Sequence, residues 1–204
     1  RGPNANGLHL AADLPTTWNE SENIVWKSKT PGKGHSSPVI WDDQIWMATA
    51  MSEGHDLHAL CFSRKGKLLH NIALFHIDKL EASNALNSFA SPTPAIEEGM
   101  VYLYFGTYGV AAIDTKTADV VWRRQDINLN HQEGPGSSPI LFKNLLIFHC
   151  DGYDVQHITA LDKSSGKTAW TTTRSLDLSG VGNHARKAFV TPVIQKVNGK
   201  DLLV

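Results

Sequence analysis

Short strand-like runs of residues separated by polar turns recur along the whole chain. In the segment that begins at Ser137, an apolar run at 140–142 is followed by a Lys-Asn step and a second apolar run at 145–150. Two further runs, 157–162 and 168–173, are separated by a turn that contains glycine. Runs of this length joined by two to five turn residues are typical of antiparallel strands. The pattern predicts a unit of four antiparallel strands.

This unit recurs at a regular interval. A Ser-Pro or Thr-Pro step opens each copy, at Pro38, Pro94, Pro139 and Pro192, and the steps lie 56, 45 and 53 residues apart. Among repeat architectures, a period near 50 residues with four strands per repeat belongs to β-propeller blades. We therefore predict an all-β chain, a single β-propeller domain over residues 1–204. Its blades are expected at about residues 36–75, 90–125 and 137–173, with an incomplete fourth blade at 189–204.

Several recurrent residues are predicted to be architectural. Proline at the mouth of a strand costs little, because its missing N–H lies outside the ladder of hydrogen bonds. Trp122 and Trp170 open the fourth strand of their blades, where a large aromatic side chain can cover the gap between neighbouring sheets. In the first unit this position is His70. The structural set is Trp26, Trp122, Trp170, Pro38, Pro94, Pro139 and Pro192.

The N-terminal segment, residues 1–30, contains a fourth-strand signature without the strands that should precede it. Residues 23–29 combine an apolar pair with Trp26. In a closed propeller, such a strand completes the last blade by pairing with strands from the far C-terminal end of the chain. We therefore expect residues 23–29 to be a ring-closing strand.

Composition and charge exclude two classes of function. The chain has 19 basic and 20 acidic residues, so it lacks the dense basic surface that nucleic-acid binding requires. No apolar run approaches the roughly 20 residues of a transmembrane helix. The two cysteines, Cys61 and Cys150, fall in different predicted blades and are interpreted as buried thiols.

Three histidines form the first candidate constellation. His35, His131 and His184 precede Pro38, Pro139 and Pro192 by three, eight and eight residues, so repeat symmetry predicts that they lie around one rim. Imidazoles arranged in this way could bind a transition metal or transfer protons. The interpretation we favour is ordinary polar loop residues, and no metal site is predicted.

A second group of candidate ligand-binding residues lies in loops on the same face. Asp151, Asp154 and Gln156 could exchange hydrogen bonds with a sugar or a peptide, and Asn87 lies in the insertion at 76–90. A simpler account of the Asp-Gly-Tyr-Asp sequence is turn chemistry, in which the side chains bond to nearby backbone. The sequence favours the simpler account, and no catalytic residue is predicted.

Several sequence blocks in a fixed order resemble the PQQ-like β-propeller repeat proteins of the quinoprotein alcohol dehydrogenase-like superfamily. The closest likeness is to a secreted or periplasmic group that is abundant in planctomycetes. The blocks are Arg1-Gly2-Pro3-Asn4, Leu14 to Trp18, Gly34-His35-Ser36-Ser37-Pro38, Ala90 to Pro94, Phe105 to Gly109, Cys150 to Asp154 and Ala160-Leu161-Asp162-Lys163. The resemblance covers essentially the whole chain.

The resemblance implies a ring of seven or eight blades, of which this chain would be the N-terminal part, and a periplasmic or secreted location. Quinoprotein dehydrogenases of this superfamily hold pyrroloquinoline quinone (PQQ) and Ca²⁺ with a disulfide between adjacent cysteines, a tryptophan floor and acidic or amide ligands. Here the two cysteines are 89 residues apart, and no cofactor is predicted.

The predicted function is a non-catalytic scaffold or ligand-binding surface outside the cytoplasm, with a protein or carbohydrate as partner. The first alternative is a PQQ-dependent oxidoreductase with Ca²⁺ that acts on an alcohol or a sugar. The second alternative is a carbohydrate-binding module.

Overall fold

The protein forms three four-stranded antiparallel sheets and a two-stranded hairpin, as predicted for propeller blades. The structure, a computed structural model, describes residues 13–204. In each sheet the strands pair in chain order, so each blade is a meander. This arrangement confirms the all-β class and the three complete four-stranded blades.

The blades have the following strands. Blade 1 contains β1 (Val39–Trp41), β2 (Gln44–Met51), β3 (Asp56–Ser63) and β4 (Leu68–His76). Blade 2 contains β5 (Ala95–Glu97), β6 (Met100–Tyr104), β7 (Val110–Asp114) and β8 (Val120–Arg124). Blade 3 contains β9 (Ile140–Phe142), β10 (Leu145–Asp151), β11 (Gln156–Asp162) and β12 (Thr168–Thr173). A short helix α1 (Asn183–Arg186) precedes the hairpin of β13 (Ile194–Val197) and β14 (Lys200–Leu203), which begins blade 4.

The core lies between the blades, because successive side chains of a strand point to opposite faces. Trp46 of β2 and Leu103 of β6 belong to the cluster between blades 1 and 2, and both are fully buried. Tyr104 of β6 and Phe148 of β10 belong to the next cluster, with ring centroids 4.3 Å apart. The innermost strands β1, β5 and β9 contact one another in that order. The blades therefore stand side by side around a common edge.

The Ser/Thr-Pro steps connect each blade to the next through hydrogen bonds. The amide N–H of Ser37 donates to Thr93 Oγ1 at 3.1 Å, and that of Thr93 donates to Ser138 Oγ at 2.9 Å. The amide of Ser138 in turn donates to Thr191 Oγ1 at 3.2 Å. Each proline lies just before the first strand of its blade, and in the last three steps the hydroxyl before the proline accepts a bond from the backbone of the preceding step. This hydroxyl ladder explains why each step begins with serine or threonine.

Two tryptophans bind the outer turn of the next blade in the same way. Trp122 Nε1 donates to the carbonyl of Lys163 at 2.9 Å, and its ring lies against Gly166, where a Cβ would come within 2.7 Å of it. Trp26 Nε1 donates to the carbonyl of Arg64 at 2.7 Å, and its ring lies against Gly66. Both glycines have positive φ angles, 69° and 79°, which glycine adopts without strain. Glycine is therefore required both for the turn and for the tryptophan ring.

Blade 1 reaches blade 2 by a different contact, since His70 stands where the tryptophan would be. His70 stacks on Trp46, with ring centroids 6.4 Å apart. The side-chain Nε2 of Gln44 donates to the carbonyl of Thr115 at 2.8 Å. Thr115 occupies the position in the blade 2 turn that corresponds to Lys163 in blade 3. Ala118, at φ 63°, replaces the glycine of that turn. At the interface between blades 1 and 2, the tryptophan and the glycine that it contacts are therefore both replaced.

The N-terminal segment differs from the strand that was expected at residues 23–29. Residues 24–29 form no strand, and Trp26 is attached to blade 1 through Arg64 and Gly66 instead. Their pairing with a distant last blade therefore stays a prediction, and residues 1–12 lie outside the described residues. Trp170 lies on β12 and is partly buried. Within residues 13–204 the α-helical turn is α1, in the connection between blade 3 and blade 4.

One end of the blades carries the connections between successive blades. Strands β2 and β4 run in the same direction, so the β2–β3 turn and the connection that leaves β4 emerge at the same end. This end, the top face, carries the connections at 77–94, 125–139 and 174–193. The opposite end, the bottom face, carries the turns at Gly66 and Gly166. Across residues 13–204, none of the helices is long and apolar enough to cross a membrane.

Candidate functional site

Asn87 ties the first connection of the top face to the second. Its side-chain amide donates to the carbonyl of Glu133 at 2.7 Å and to that of Pro135 at 3.2 Å. Its Oδ1 accepts from the amide of Ser88 at 2.8 Å and from the hydroxyl of Ser91. Both ends of the side chain are therefore committed to holding the two connections together.

His131 lies inside the protein rather than at an open rim. It is 5% exposed, and its Nε2 accepts a hydrogen bond from the amide of Thr107 at 3.0 Å. Burial, and then the charge of Lys187, lower the pKa of His131 to about 3. The imidazole is therefore neutral, with the proton on Nδ1, and in the described part of the chain this buried N–H has no partner.

Lys187, which the sequence did not single out, ties the third connection to the second. Its Nζ donates to the carbonyls of His131 and, at 3.1 Å, of Gly134. It also lies 4.6 Å from the ring centroid of Phe189 and 6.0 Å from that of Tyr153. Burial lowers the pKa of this lysine to about 8. The sequence feature that could have pointed to Lys187 is its position just before the apolar run at 188–190.

The three predicted histidines do not share a site. His184 lies in α1 with its Nδ1 2.9 Å from the Tyr153 hydroxyl and 3.5 Å from Glu133 Oε1. His35 is exposed, with its Nδ1 3.5 Å from Ser91 Oγ. In residues 13–204, no group of three or more His, Cys, Asp or Glu side chains could hold a metal ion.

Asp151 belongs to a buried ionic group on the side of blade 3 that faces blade 4. Its carboxylate accepts from the guanidinium of Arg174 and lies 3.7 Å from His149 Nδ1. Burial raises the pKa of Asp151 in spite of the neighbouring Arg174 charge, and burial also lowers the pKa of His149. The side chain of Asp151 is 1% exposed and therefore closed to a ligand from solvent.

Asp154 and Gln156 shape the turn between β10 and β11. Asp154 Oδ1 accepts from the amides of Asn130 at 2.8 Å and Val155 at 3.0 Å. Gln156 Nε2 donates to the carbonyl of Gly152 at 2.9 Å. The first of these bonds also attaches the turn to the second connection.

An open groove of about 520 Å³ lies in the top face of blade 1. Its size is within the range of small-ligand sites. The β2–β3 turn forms one side, and the connection that follows β4 forms the other. The lining residues are Gly32, Lys33, Ala50, Met51, Ser52, Glu53, Gly54, Ser83, Asn84, Ala85, Asn87, Ser88 and Phe89. Of the residues predicted from sequence, only Asn87 lines this groove.

The β2–β3 turn at the groove has an unusual backbone. Ser52 and Glu53 have φ angles of 49° and 60°, and Gly54 follows at 111°. Consecutive non-glycine residues with positive φ are strained by about 1–3 kcal/mol each and persist where the surroundings fix them. Here Ser52 Oγ donates to Asp56 Oδ2 at 2.5 Å, and Gly54 lies against the Phe89 ring.

The described residues do not fit the quinone site that the resemblance raised. Cys61 and Cys150 are free thiols buried in different blades, so they supply no disulfide between adjacent cysteines. Burial raises the pKa of each thiol to about 11. The carboxylate of Asp151, the most buried of the predicted acidic residues, is already paired with Arg174.

Comparison with known protein families identifies the repeat. Residues 19–202 match the PQQ_2 family model, which is described as outer membrane protein assembly factor BamB. The chain belongs to this PQQ-like repeat family. No individual curated protein sequence matches the chain.

Solved structures with similar folds are larger and distant in sequence. Quinohemoprotein alcohol dehydrogenase from Comamonas testosteroni is 18% identical, with a TM-score of 0.51, over 74% of this chain and 22% of that one. A europium-containing methanol dehydrogenase is 12% identical, with a TM-score of 0.49, over 74% and 26%. BamB from Moraxella catarrhalis is 14% identical, with a TM-score of 0.44, over 78% and 43%. The chain therefore spans less than half the length of these matches.

Proposed function

We propose that the chain is part of a non-catalytic propeller that acts as a binding scaffold outside the cytoplasm. One observation carries the proposal: three polar side chains of its top face, Asn87, Asp154 and Lys187, hold neighbouring loops together. Asn87 joins the first connection to the second, Lys187 joins the third to the second, and Asp154 attaches a blade 3 turn to the second.

This bonding supports binding rather than chemistry. A general acid or base needs an accessible proton and a pKa near the working pH. His131 is buried with a pKa of about 3, and Asp151 is closed off by Arg174. A pre-organised surface, by contrast, loses little conformational entropy when it binds a partner. The groove beside the strained turn at Ser52 provides the place for contact.

The location rests on the family match. The family description, outer membrane protein assembly factor, supports a role in the cell envelope for this chain as well. The partner of such a scaffold is a protein, and the missing remainder of a seven- or eight-bladed ring would complete its surface.

An activity assay separates this proposal from its first alternative. The purified chain is mixed with PQQ and Ca²⁺, and reduction of an electron-accepting dye is followed with an alcohol or a sugar as substrate. We expect no reduction above the rate without chain, with a quinoprotein alcohol dehydrogenase as the positive control. Substrate-dependent reduction would contradict the proposal, and retention on an immobilised polysaccharide would favour the carbohydrate-binding alternative instead.

A further inference from the structure

The lining of the groove in blade 1 includes apolar side chains and two charges of opposite sign. Ala50, Met51 and Phe89 supply apolar surface, and methionine side chains adapt to varied apolar partners. Lys33 and Glu53 are exposed residues of the lining, one on each chain segment that borders β2. Within residues 13–204, the salt bridges include neither side chain. The groove therefore offers a cation and an anion to a ligand.

Backbone contacts fix both charged residues in place. The amide of Lys33 donates to the carbonyl of Ala50 at 2.8 Å, and the amide of Ala50 donates back at 2.9 Å. Glu53 sits in the strained turn, which the Ser52 to Asp56 hydrogen bond holds. The backbone that carries both side chains is therefore ordered before a ligand binds, and only the side chains remain to be ordered.

The facing side is equally constrained. Asn87 attaches it to the second connection, as described above, and the Phe89 ring lies edge-on to Tyr108, with centroids 5.6 Å apart. The Tyr108 hydroxyl accepts a hydrogen bond from the amide of Glu81 at 2.9 Å. Both walls are therefore held by bonds that do not involve the open space between them.

We propose that this groove binds an extended peptide segment in which apolar side chains lie between an acidic and a basic residue. The inference rests on the proposed function and names the ligand class of its binding face. The acidic residue of the peptide pairs with Lys33, the basic residue pairs with Glu53, and the apolar side chains cover Met51 and Phe89.

A neutral oligosaccharide fits the groove less well. It carries no charge, so binding would remove water from Lys33 and Glu53 without giving either a charged partner, which costs free energy. The single aromatic ring of the lining, Phe89, is partly buried and contacts Tyr108 rather than offering an open face.

The test is a charge-swap experiment with defined peptides. End-blocked, fluorescein-labelled Asp-Leu-Phe-Leu-Lys, its charge-reversed partner Lys-Leu-Phe-Leu-Asp and the neutral Asn-Leu-Phe-Leu-Gln are titrated against the chain by fluorescence polarisation. We expect one charged peptide to bind more tightly than the other two. Lys33→Glu and Glu53→Lys should each weaken it by about fivefold, the upper range for an exposed ion pair. The double variant should reverse the preference between the two charged peptides.

Matched controls lie on the opposite face. Lys65 and Glu98 are exposed residues of bottom-face turns, so Lys65→Glu with Glu98→Lys makes the same charge change without touching the groove. This variant should retain the original preference. Circular dichroism checks that every variant keeps the fold, as expected for exposed side chains whose backbone contacts are unchanged.

The outcomes separate the two claims. Peptide binding that is unchanged by the charge swap overturns the groove assignment and leaves the binding-scaffold proposal intact. Binding of a neutral oligosaccharide that is lost on Phe89→Ala overturns the peptide class. Failure of all three peptides to bind the folded chain overturns the inference, while the scaffold proposal itself is decided by the dye-reduction assay.

Discussion

At the residue scale, the repeated sequence steps act between blades as well as within them. The hydroxyl of Thr93 accepts from the backbone of blade 1, and the ring of Trp122 lies against Gly166 of blade 3. Each such residue therefore stabilises an interface that joins segments 40–60 residues apart in sequence. The sequence repeats with the period of a blade because the same residues make the contacts between each blade and the next.

The tryptophan contact predicts a ranking of stabilities. Trp122→Ala should lower the free energy of unfolding by about 3 kcal/mol, since it removes a large aromatic group and leaves the carbonyl of Lys163 without its donor. His70→Ala should cost less, because Gln44 supplies the corresponding hydrogen bond in that interface. Urea denaturation midpoints measure both. Equal effects of the two substitutions would show that the tryptophan does not carry this interface.

The buried imidazole of His131 predicts an acid-dependent loss of stability. Its folded pKa, about 3, lies below the unfolded value of 6.5, so the unfolded chain binds the extra proton as pH falls between these values. Stability should therefore fall by about 2 kcal/mol between pH 6.5 and 4.5 on account of this group.

His131→Gln is the matched variant for this pH effect. Its amide oxygen can accept from the amide of Thr107, but the side chain does not titrate. Thermal or urea unfolding at pH 6.5 and pH 4.5 should show a smaller decrease for the variant than for the parent chain. An equal decrease in both would mean that His131 is not neutral inside the folded protein.

At the scale of elements, the strands were predictable from sequence and the connections were not. The apolar runs that form β10 and β11 and the Gly-containing turn at 163–167 predicted blade 3. The top-face groove depends on how the connection at 77–94 lies against the β2–β3 turn. Hydrophobic periodicity in the sequence does not predict that contact, because both segments are irregular. Lys187 was missed for the same reason.

The connections predict a local change in dynamics when their main clamp is removed. Asn87→Ala breaks the bonds to the carbonyls of Glu133 and Pro135, so their segments should open more often. Hydrogen exchange followed by mass spectrometry should show faster exchange at 84–91 and 131–137, with strand β7 unchanged. Asn71→Ala, on the exposed outer strand β4, is the control and should leave both connections protected.

At the scale of the whole molecule, three blades and a hairpin of blade 4 stand in order, each joined to the next at the inner edge by the hydroxyl ladder. The fold and the family could be predicted from the sequence, because each blade repeats the same Ser/Thr-Pro step, apolar runs and turns. The site is less predictable. The sequence named His131, Asp151 and Asp154 as candidate ligand-binding residues while favouring ordinary loop and turn roles for them, and in the structure all three bond within the protein. Sequence alone does not separate these roles, because a polar side chain in a loop can pair with a ligand or with a neighbouring group of the protein.

Titration calorimetry with PQQ and Ca²⁺ tests the central claim most directly. The claim is that this propeller is a binding scaffold in which Asn87, Asp154 and Lys187 of the top face hold its loops together and no quinone binds. The account predicts no heat of binding beyond dilution when PQQ is added to the chain in the presence of excess Ca²⁺. A one-to-one isotherm with micromolar or tighter affinity would contradict it.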